Sequence, residues 1–374
     1  MRVLHIHSGN LYGGVETLLV TLARRRDLCP AMRSEFALCF KGRLFDELVA
    51  LRAPVHDLGK VRARQPLTVW RARRALQVLL RREQFDLVVC HSAWSQAMFG
   101  KAVRRAQLPL VFWLHDAIDG RHWLERWAGQ TLPDLTLCNS QFTAALLPRI
   151  YPHARHEVFY CPVSLGTVRL SEANRAEIRN ELGTPADAIV IIQVGRMESL
   201  KGHVSHLKAL AILSDVPGWV CWQVGGAQRP REAGYLNELK SLAIELKISD
   251  RVSFLSERAD VATLLSAADI YCQPNTAPEA FGLTLVEALA AGLPVITTNI
   301  GGAKEIVDGS CGIFVSVNDV PGLAGALRNL IDDSSLRARL GASGRVRAGE
   351  LCGAADRLQE LAVLLGTMVE RRAA

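Results

Sequence analysis

Short apolar runs rich in Val and Ile alternate along the chain with longer stretches whose apolar residues recur every three or four positions. Such runs suit strands buried on both faces, and the periodic stretches suit the helices that carry the chain back between parallel strands. The pattern predicts strands over residues 3–7, 35–40, 55–57, 87–91, 110–115, 135–139 and 157–160, then a second series over 188–195, 219–225, 252–255, 270–273, 295–297 and 312–315. Helices are expected near 203–214, 230–247, 260–268, 283–292 and 320–332, and residues 351–370 place Leu358, Leu361, Ala362 and Leu365 on one helical stripe. The stretch 161–184 reads as a linker. The expected fold class is α/β: two doubly wound domains, 1–165 and 166–350, facing each other across a cleft, with a helix in 351–374 packing back across them. Ligands of such domains bind beyond the carboxyl ends of the strands.

At 374 residues, 49% hydrophobic and 22% charged, the chain has material for two cores, which excludes a disordered polymer, a collagen-like repeat or a small disulfide scaffold. The long uncharged run 288–303 is broken by Gly292, Pro294, Asn299 and the Gly301-Gly302 pair, so no bilayer-spanning helix is expected there. The first residues lack the apolar stretch of a secretory signal. Nine cysteines without a CxxC pair, most of them inside apolar runs, fit reduced thiols buried as small hydrophobes. A cytoplasmic chain is the expectation.

The net charge of +7 is unevenly placed. Residues 1–165 hold 23 basic and 13 acidic residues, whereas 166–374 hold 21 and 24, so all of the excess lies in the first half. Residues 60–82 carry eight basic side chains (Lys60, Arg62, Arg64, Arg71, Arg73, Arg74, Arg81 and Arg82) and no acid, interleaved with Leu67, Val69, Trp70, Leu76, Val78, Leu79 and Leu80. That pattern describes a basic amphipathic helix after Pro66. It is either a solvated outer helix with its stripe in the core, or a contact for an anionic membrane surface or charged acceptor; nucleic acid is the less fitting partner.

Four segments carry candidate chemistry. In the string from Pro274 to Glu287 a strand ends, a loop carries Glu279, and a helix opens near Gly282-Leu283-Thr284, whose free backbone N–H groups suit a phosphate. Glu287, one turn inside, could accept from a ribose, and Glu279 could reach the group beyond the phosphates. In Gly195-Arg196 with Lys201-Gly202, a guanidinium and an ammonium follow a buried strand; together they can stabilise a departing pyrophosphate without a metal. Gly13-Gly14 after the first strand permits close backbone approach to a ligand, although the GxGxxG dinucleotide spacing is absent. Trp113-Leu114-His115-Asp116 ends another strand on the same side. A lone His or a loop Glu is more often structural, so it is the convergence of these segments that argues for function.

These residues resemble the retaining nucleotide-sugar glycosyltransferases of family 4, with the two-Rossmann-domain architecture called GT-B. The resemblance rests on Gly13-Gly14-Val15-Glu16, Asn139-Ser140-Gln141-Phe142-Thr143, Gly195-Arg196 with Lys201-Gly202, and Glu279-Ala280-Phe281-Gly282-Leu283-Thr284-Leu285-Val286-Glu287, the most specific string. It implies that Arg196 and Lys201 bind the donor diphosphate with the amides of Gly282, Leu283, Thr284 and Gly14, that Gly13 and Phe281 help shape the donor site, and that Glu287 holds the ribose. Glu279 would contact donor-sugar hydroxyls, His115 would sit beside the sugar, and the base would lie against residues 256–258. Cys161-Pro162-Val163-Ser164-Leu165 departs from the turn many relatives have there, so Ser164 receives no role.

The implied reaction is hexosyl transfer with retention, from a UDP- or GDP-linked sugar to a hydroxyl of a glycan or lipid-linked acceptor in envelope or exopolysaccharide synthesis. No cofactor and no metal are implied, because no DxD-type carboxylate pair is present and two cations can neutralise the diphosphate. A cytoplasmic enzyme peripheral to the inner face of the membrane through residues 60–82 follows from the same reading, with no nucleic-acid partner. The alternatives are a nucleotide-sugar epimerase of the same architecture and a non-enzymatic polyanion-binding protein.

Overall fold

The computed structural model describes residues 1–164 and 170–373. The first sheet comprises β1 (Arg2–His7), β2 (Arg33–Leu38), β3 (Val55–Asp57), β4 (Leu87–His91), β5 (Leu110–Leu114), β6 (Leu135–Cys138) and β7 (His156–Val158), in the order β3-β2-β1-β4-β5-β6-β7. The second comprises β8 (Ile189–Val194), β9 (Trp219–Val224), β10 (Val252–Phe254), β11 (Ile270–Gln273), β12 (Val295–Thr298) and β13 (Gly312–Val315), in the order β10-β9-β8-β11-β12-β13. Every pairing is parallel. Both are Rossmann-like sheets, and in each the winding reverses once, between β1 and β4 and between β8 and β11. The central strands are buried along their whole length, as a sheet covered by helices on both faces requires.

The chain divides into two compact units, residues 1–164 with 352–374, and residues 165–351. The last helix, Ala354–Ala373, belongs to the first unit, and Val163 N–H donates to the Cys352 carbonyl at 2.8 Å where the chain returns. All nine cysteines are free and buried. Among the described residues no helix is long and apolar enough to cross a membrane.

The structure differs from the sequence expectation in several places, of which three have a physical reason on view. The second strand begins and ends two residues earlier than expected, because Cys39 and Phe40 leave the ladder to donate to the Ser8 carbonyl. The helix Ser334–Cys352 was not anticipated; its apolar residues are spread around its circumference and give no stripe. The expected linker 161–184 contains the helix Glu172–Glu181, and residues 165–169 of that stretch lie outside the described residues. That helix is almost wholly polar, so periodicity is blind to it.

It is held by charge instead. Ser171 caps it by accepting from Asn174 N–H at 3.2 Å. Arg179, buried, donates to the carbonyls of Ala267 and Ala188, each at 3.0 Å, and to Asp269 Oδ2 at 2.6 Å. Arg175 takes Asp269 Oδ1 at 2.6 Å, and the carboxylate also accepts from Val190 N–H at 2.7 Å. Removing Arg179 strands two carbonyls and leaves Asp269 with Arg175 as its charged partner. Arg179→Ala is expected to lower stability by about 2–3 kcal/mol, and the more exposed Arg175→Ala by less; urea denaturation of the two variants reads the difference.

Candidate functional site

The carboxyl end of β8 runs into Gly195-Arg196, and after the short turn Ser199–Lys201 the chain bends at Gly202, which has φ +73°. A Cβ there would lie 1.9 Å from the Pro274 carbonyl oxygen, so only glycine lets this loop lie against the loop that follows β11. Thr276 N–H then donates to the Leu200 carbonyl at 2.8 Å, tying the two loops together. The winding reversal between β8 and β11 thus brings Lys201 and Glu279 into contact although they are far apart in sequence.

Lys201 Nζ donates to Glu279 Oε1 at 2.5 Å. The other carboxylate oxygen accepts from Gln273 Nε2 at 3.0 Å and Asn275 Nδ2 at 3.1 Å. Burial pushes the Glu279 carboxyl up, but the Lys201 ammonium and these hydrogen bonds outweigh it and hold the group below the usual carboxylate range. Glu279 is therefore a fixed anion and an acceptor. Gln273 is in turn fixed by Tyr271, whose hydroxyl donates to its Oε1 at 2.8 Å.

Next in the chain, Phe281 is buried and Gly282 caps the helix Leu283–Ala291 in a left-handed conformation, φ +113°. The amides of Gly282, Leu283 and Thr284 have no acceptor among the described residues, so three N–H groups stand open beside the Lys201–Glu279 pair. Thr284 Oγ1 lies 3.5 Å from Gln273 Oε1. Glu287, one turn along, has no hydrogen-bond partner among the described residues, and burial lifts its carboxyl to about 7. Arg196 is engaged by carboxylates: it meets Glu198 at 3.1 Å and the buried Glu232 at 3.4 Å, which aim the fork. Arg258, in the stretch expected to face the base, forms a two-pronged pair with Asp260 at 2.8 and 2.6 Å.

In the first unit, Gly13 caps the helix Gly14–Arg24, and the amide of Gly14 is exposed with no acceptor among the described residues. Gly13 N–H donates to Glu16 Oε2 at 2.9 Å, while Glu16 Oε1 pairs with His7 Nε2 at 2.6 Å. His115 follows β5 directly and is buried; it stacks on Trp113 and on His91. Burial, with His7 adding to it, pulls its imidazole down to about 3, so it is a neutral hydrogen-bonding group. Sequence reasoning gave no role to the residues that hold the site: Gln273, Asn275, Glu232, Glu16 and His91. Gln273 and Asn275 flank a strand end already singled out and could have been found by asking what pairs with Glu279; Glu232 lies in the first turn of the helix Pro230–Glu245, where an acidic residue by itself points to no partner.

The helix Pro66–Arg82 combines both of its expected characters. Val69, Ala72, Leu76 and Leu80 enter the core, whereas Leu67, Trp70 and Val78 are 69%, 56% and 57% exposed. With neighbouring helices it lines a groove of about 590 Å³ rimmed by Arg74, Arg81, Lys101 and Arg105. Arg73 is not a free charge: it donates to the carbonyls of Met98 at 2.6 Å and Ala97 at 3.1 Å. Among the described residues no cluster of three His, Cys, Asp or Glu could hold a metal ion.

Comparison with known proteins agrees with this arrangement. The chain is 33% identical over 180 residues to the lipopolysaccharide core biosynthesis glycosyltransferase LpsE of Rhizobium meliloti, covering 48% of this chain and 49% of that protein. It is 30% identical over 253 residues to a D-inositol 3-phosphate glycosyltransferase of Stackebrandtia nassauensis, covering 64% and 55%. The chain thus spans about half the length of the curated relatives it matches. Among solved structures, Anabaena Alr3699/HepE in complex with UDP-glucose superposes with a TM-score of 0.88 at 26% identity, over 98% of this chain and 100% of that one. Residues 12–167 match the family described as Glycosyltransferase Family 4 and residues 174–347 the family described as Glycosyl transferases group 1, so the chain is built of two successive glycosyltransferase domains with the GT-B fold.

Proposed function

We propose that the protein is a retaining glycosyltransferase that moves a hexose from a UDP- or GDP-linked sugar to a hydroxyl of a glycan or lipid-linked acceptor in envelope polysaccharide synthesis. The observation that carries the reading is the Lys201–Glu279 pair at the winding reversal, beside the three open amides of Gly282 to Thr284. The LpsE name and the UDP-glucose held by HepE support the pathway and the donor class.

In this reading the diphosphate lies on the open amides and draws Lys201 and Arg196, whose charges stabilise the leaving group as its bond to the anomeric carbon lengthens. No metal is needed for that neutralisation. Glu279 accepts from donor-sugar hydroxyls while its anionic charge faces the developing oxocarbenium centre. The acceptor hydroxyl attacks from the face the diphosphate leaves and passes its proton to a leaving phosphate oxygen. No protein nucleophile is involved; the side chains position and stabilise. Glu287 accepts from the ribose diol.

Thermal shift with UDP-, GDP- and ADP-sugars identifies the donor, since a tight ligand raises apparent stability. With that donor, Glu279→Ala should lower transfer by roughly 100-fold or more and leave nucleotide diphosphate binding largely intact, because the phosphates meet Lys201 and the amides. Unchanged turnover sinks the role, and scrambling of sugar stereochemistry without acceptor would identify an epimerase instead.

Glu287 yields a pH prediction. Its carboxyl, raised to about 7, favours the folded state below the usual 4.5, and that contribution is lost as pH rises through 7. Glu287→Gln should match the wild type in Tm near pH 4.5 and exceed it above pH 7. Because the ribose diol donates to the ionised form, nucleotide affinity of the wild type should strengthen as pH rises through 7, and the variant should lose that step in calorimetric titrations.

We infer further that the groove on the Pro66–Arg82 helix rests on anionic lipid, with Trp70 and Leu67 entering the interface. Replacing Arg71, Arg74 and Arg81 by Gln should weaken binding to vesicles containing phosphatidylglycerol and spare activity on a soluble acceptor. Equal sedimentation with vesicles before and after would reduce the helix to a solvated face.

A further inference from the structure

Three imidazoles cross the first sheet in a line. His5 on β1, His91 at the end of β4 and His115 just past β5 belong to neighbouring strands, and Ser34 on β2 extends the line to a fourth. Ser34 Oγ lies 3.2 Å from His5 Nε2, His5 Nδ1 lies 3.0 Å from His91 Nε2, and His91 Nδ1 lies 3.0 Å from His115 Nε2. His5 and His91 have no solvent exposure, and the rings are staggered at centroid distances of 5.3 and 5.2 Å.

Three buried imidazoles are an expensive way to fill the face of a parallel sheet, where apolar side chains need no partners. Desolvation keeps them neutral, His5 pulled down to about 3 and His91 well below its ordinary value. A neutral imidazole carries one proton: one nitrogen donates and the other accepts. Each link in the line can hold only one proton, so fixing any one ring fixes the others. Only two self-consistent arrangements remain. In one, every ring carries its proton on Nδ1, Ser34 donates to His5, and His115 presents Nδ1–H. In the other, every ring carries it on Nε2, Ser34 accepts, and His115 presents a bare Nδ1. That nitrogen makes no hydrogen bond among the described residues and is not sealed from solvent, so it is the working end of the line.

We propose that His5 and His91 are positioning residues: a hydrogen-bonded relay, anchored at Ser34, that locks the tautomer of His115 to theirs, so that its Nδ1 faces a sugar hydroxyl as donor or as acceptor only in step with the two buried rings. The value of the relay to catalysis rests on the reading that His115 meets the donor sugar; the relay itself does not. An isolated ring can change its tautomer alone, whereas in the relay His115 can change only when His91, His5 and the Ser34 hydroxyl change with it.

Nitrogen-15 NMR of the full chain labelled at histidine, near pH 7.5, tests the relay without any ligand. His5, His91 and His115, assigned through single substitutions, are expected to share one tautomer, all Nδ1–H or all Nε2–H. A mixed set, or a cationic ring among the three, overturns the proposal. In His91→Phe, which keeps a ring on Trp113 and removes both links, the His115 signals should move towards a tautomeric average; unchanged His115 signals would also overturn it. If His91→Phe fails to fold, the wild-type spectrum still decides. With the donor identified, the same variant should lose about five- to tenfold in kcat with donor KM little changed. A shift of the His115 signals with kcat unaltered would uphold the relay and refute His115 as a sugar contact.

Discussion

Parallel strands cannot be joined by a tight turn; each must be returned by a crossover, and that constraint governs where chemistry can occur in this protein. Helices seal both faces of each sheet, so side chains on the strands are spent on packing. Only beyond the carboxyl ends do loops escape it, and only where the winding reverses do two adjacent loops diverge enough to leave open backbone. Gly195 to Gly202 and Pro274 to Gly282 are the two loops at such a reversal, and Gly13-Gly14 and the end of β4 occupy the equivalent place in the first unit.

Within that frame the second unit gathers charge in a particular way. Lys201 and Arg196, the two cations, are each already matched to carboxylates: Lys201 to Glu279, Arg196 to Glu198 and Glu232. Buried charge is tolerated because it is paired, and the pairing holds long side chains in one geometry before a ligand arrives. Neutral polar groups complete the arrangement, Gln273 and Asn275 on Glu279 and Tyr271 behind Gln273. The first unit has a different set at the ends of β1, β4 and β5: Glu16 on His7, and the neutral row of imidazoles.

The fold was legible in the sequence wherever burial wrote it. Strands such as β4 and β11 stand as uninterrupted apolar runs because both of their faces are covered, and their limits match the expected ones. Glu172–Glu181 was not legible, because Arg175 and Arg179 bind it to Asp269 and leave no apolar period. The same division holds at the candidate site. Glu279, Gly282 and Glu287 stand in one string and Lys201 in another, each with a pattern that suggests its own chemistry, and the structure places Lys201 and Glu279 in contact. Other supports come from elsewhere in the chain: Glu232 reaches Arg196 from another helix, and Ser34, His5 and His91 line up with His115 only because β2, β1, β4 and β5 lie side by side. Strand order, which no local pattern encodes, creates those neighbours. Arg73, one of the eight basic residues of 60–82, is engaged for a related reason, since the carbonyls that accept from it belong to another helix.

The hydrogen bond from Val163 N–H to the Cys352 carbonyl closes the first unit over the place where residues 165–351 depart and come back. The second unit is thus, topologically, an insertion into the first: its residues are contiguous in the chain, whereas the first unit is assembled from two separated segments. During synthesis the leading segment, with its seven strands, emerges long before the Ala354–Ala373 helix that completes the unit. The seat of that helix, including the contact of its helix with the turn Arg26–Leu28, must therefore stay unfilled while the whole of the inserted unit is made. The last helix can take its seat only after the residues of both sheets have been made.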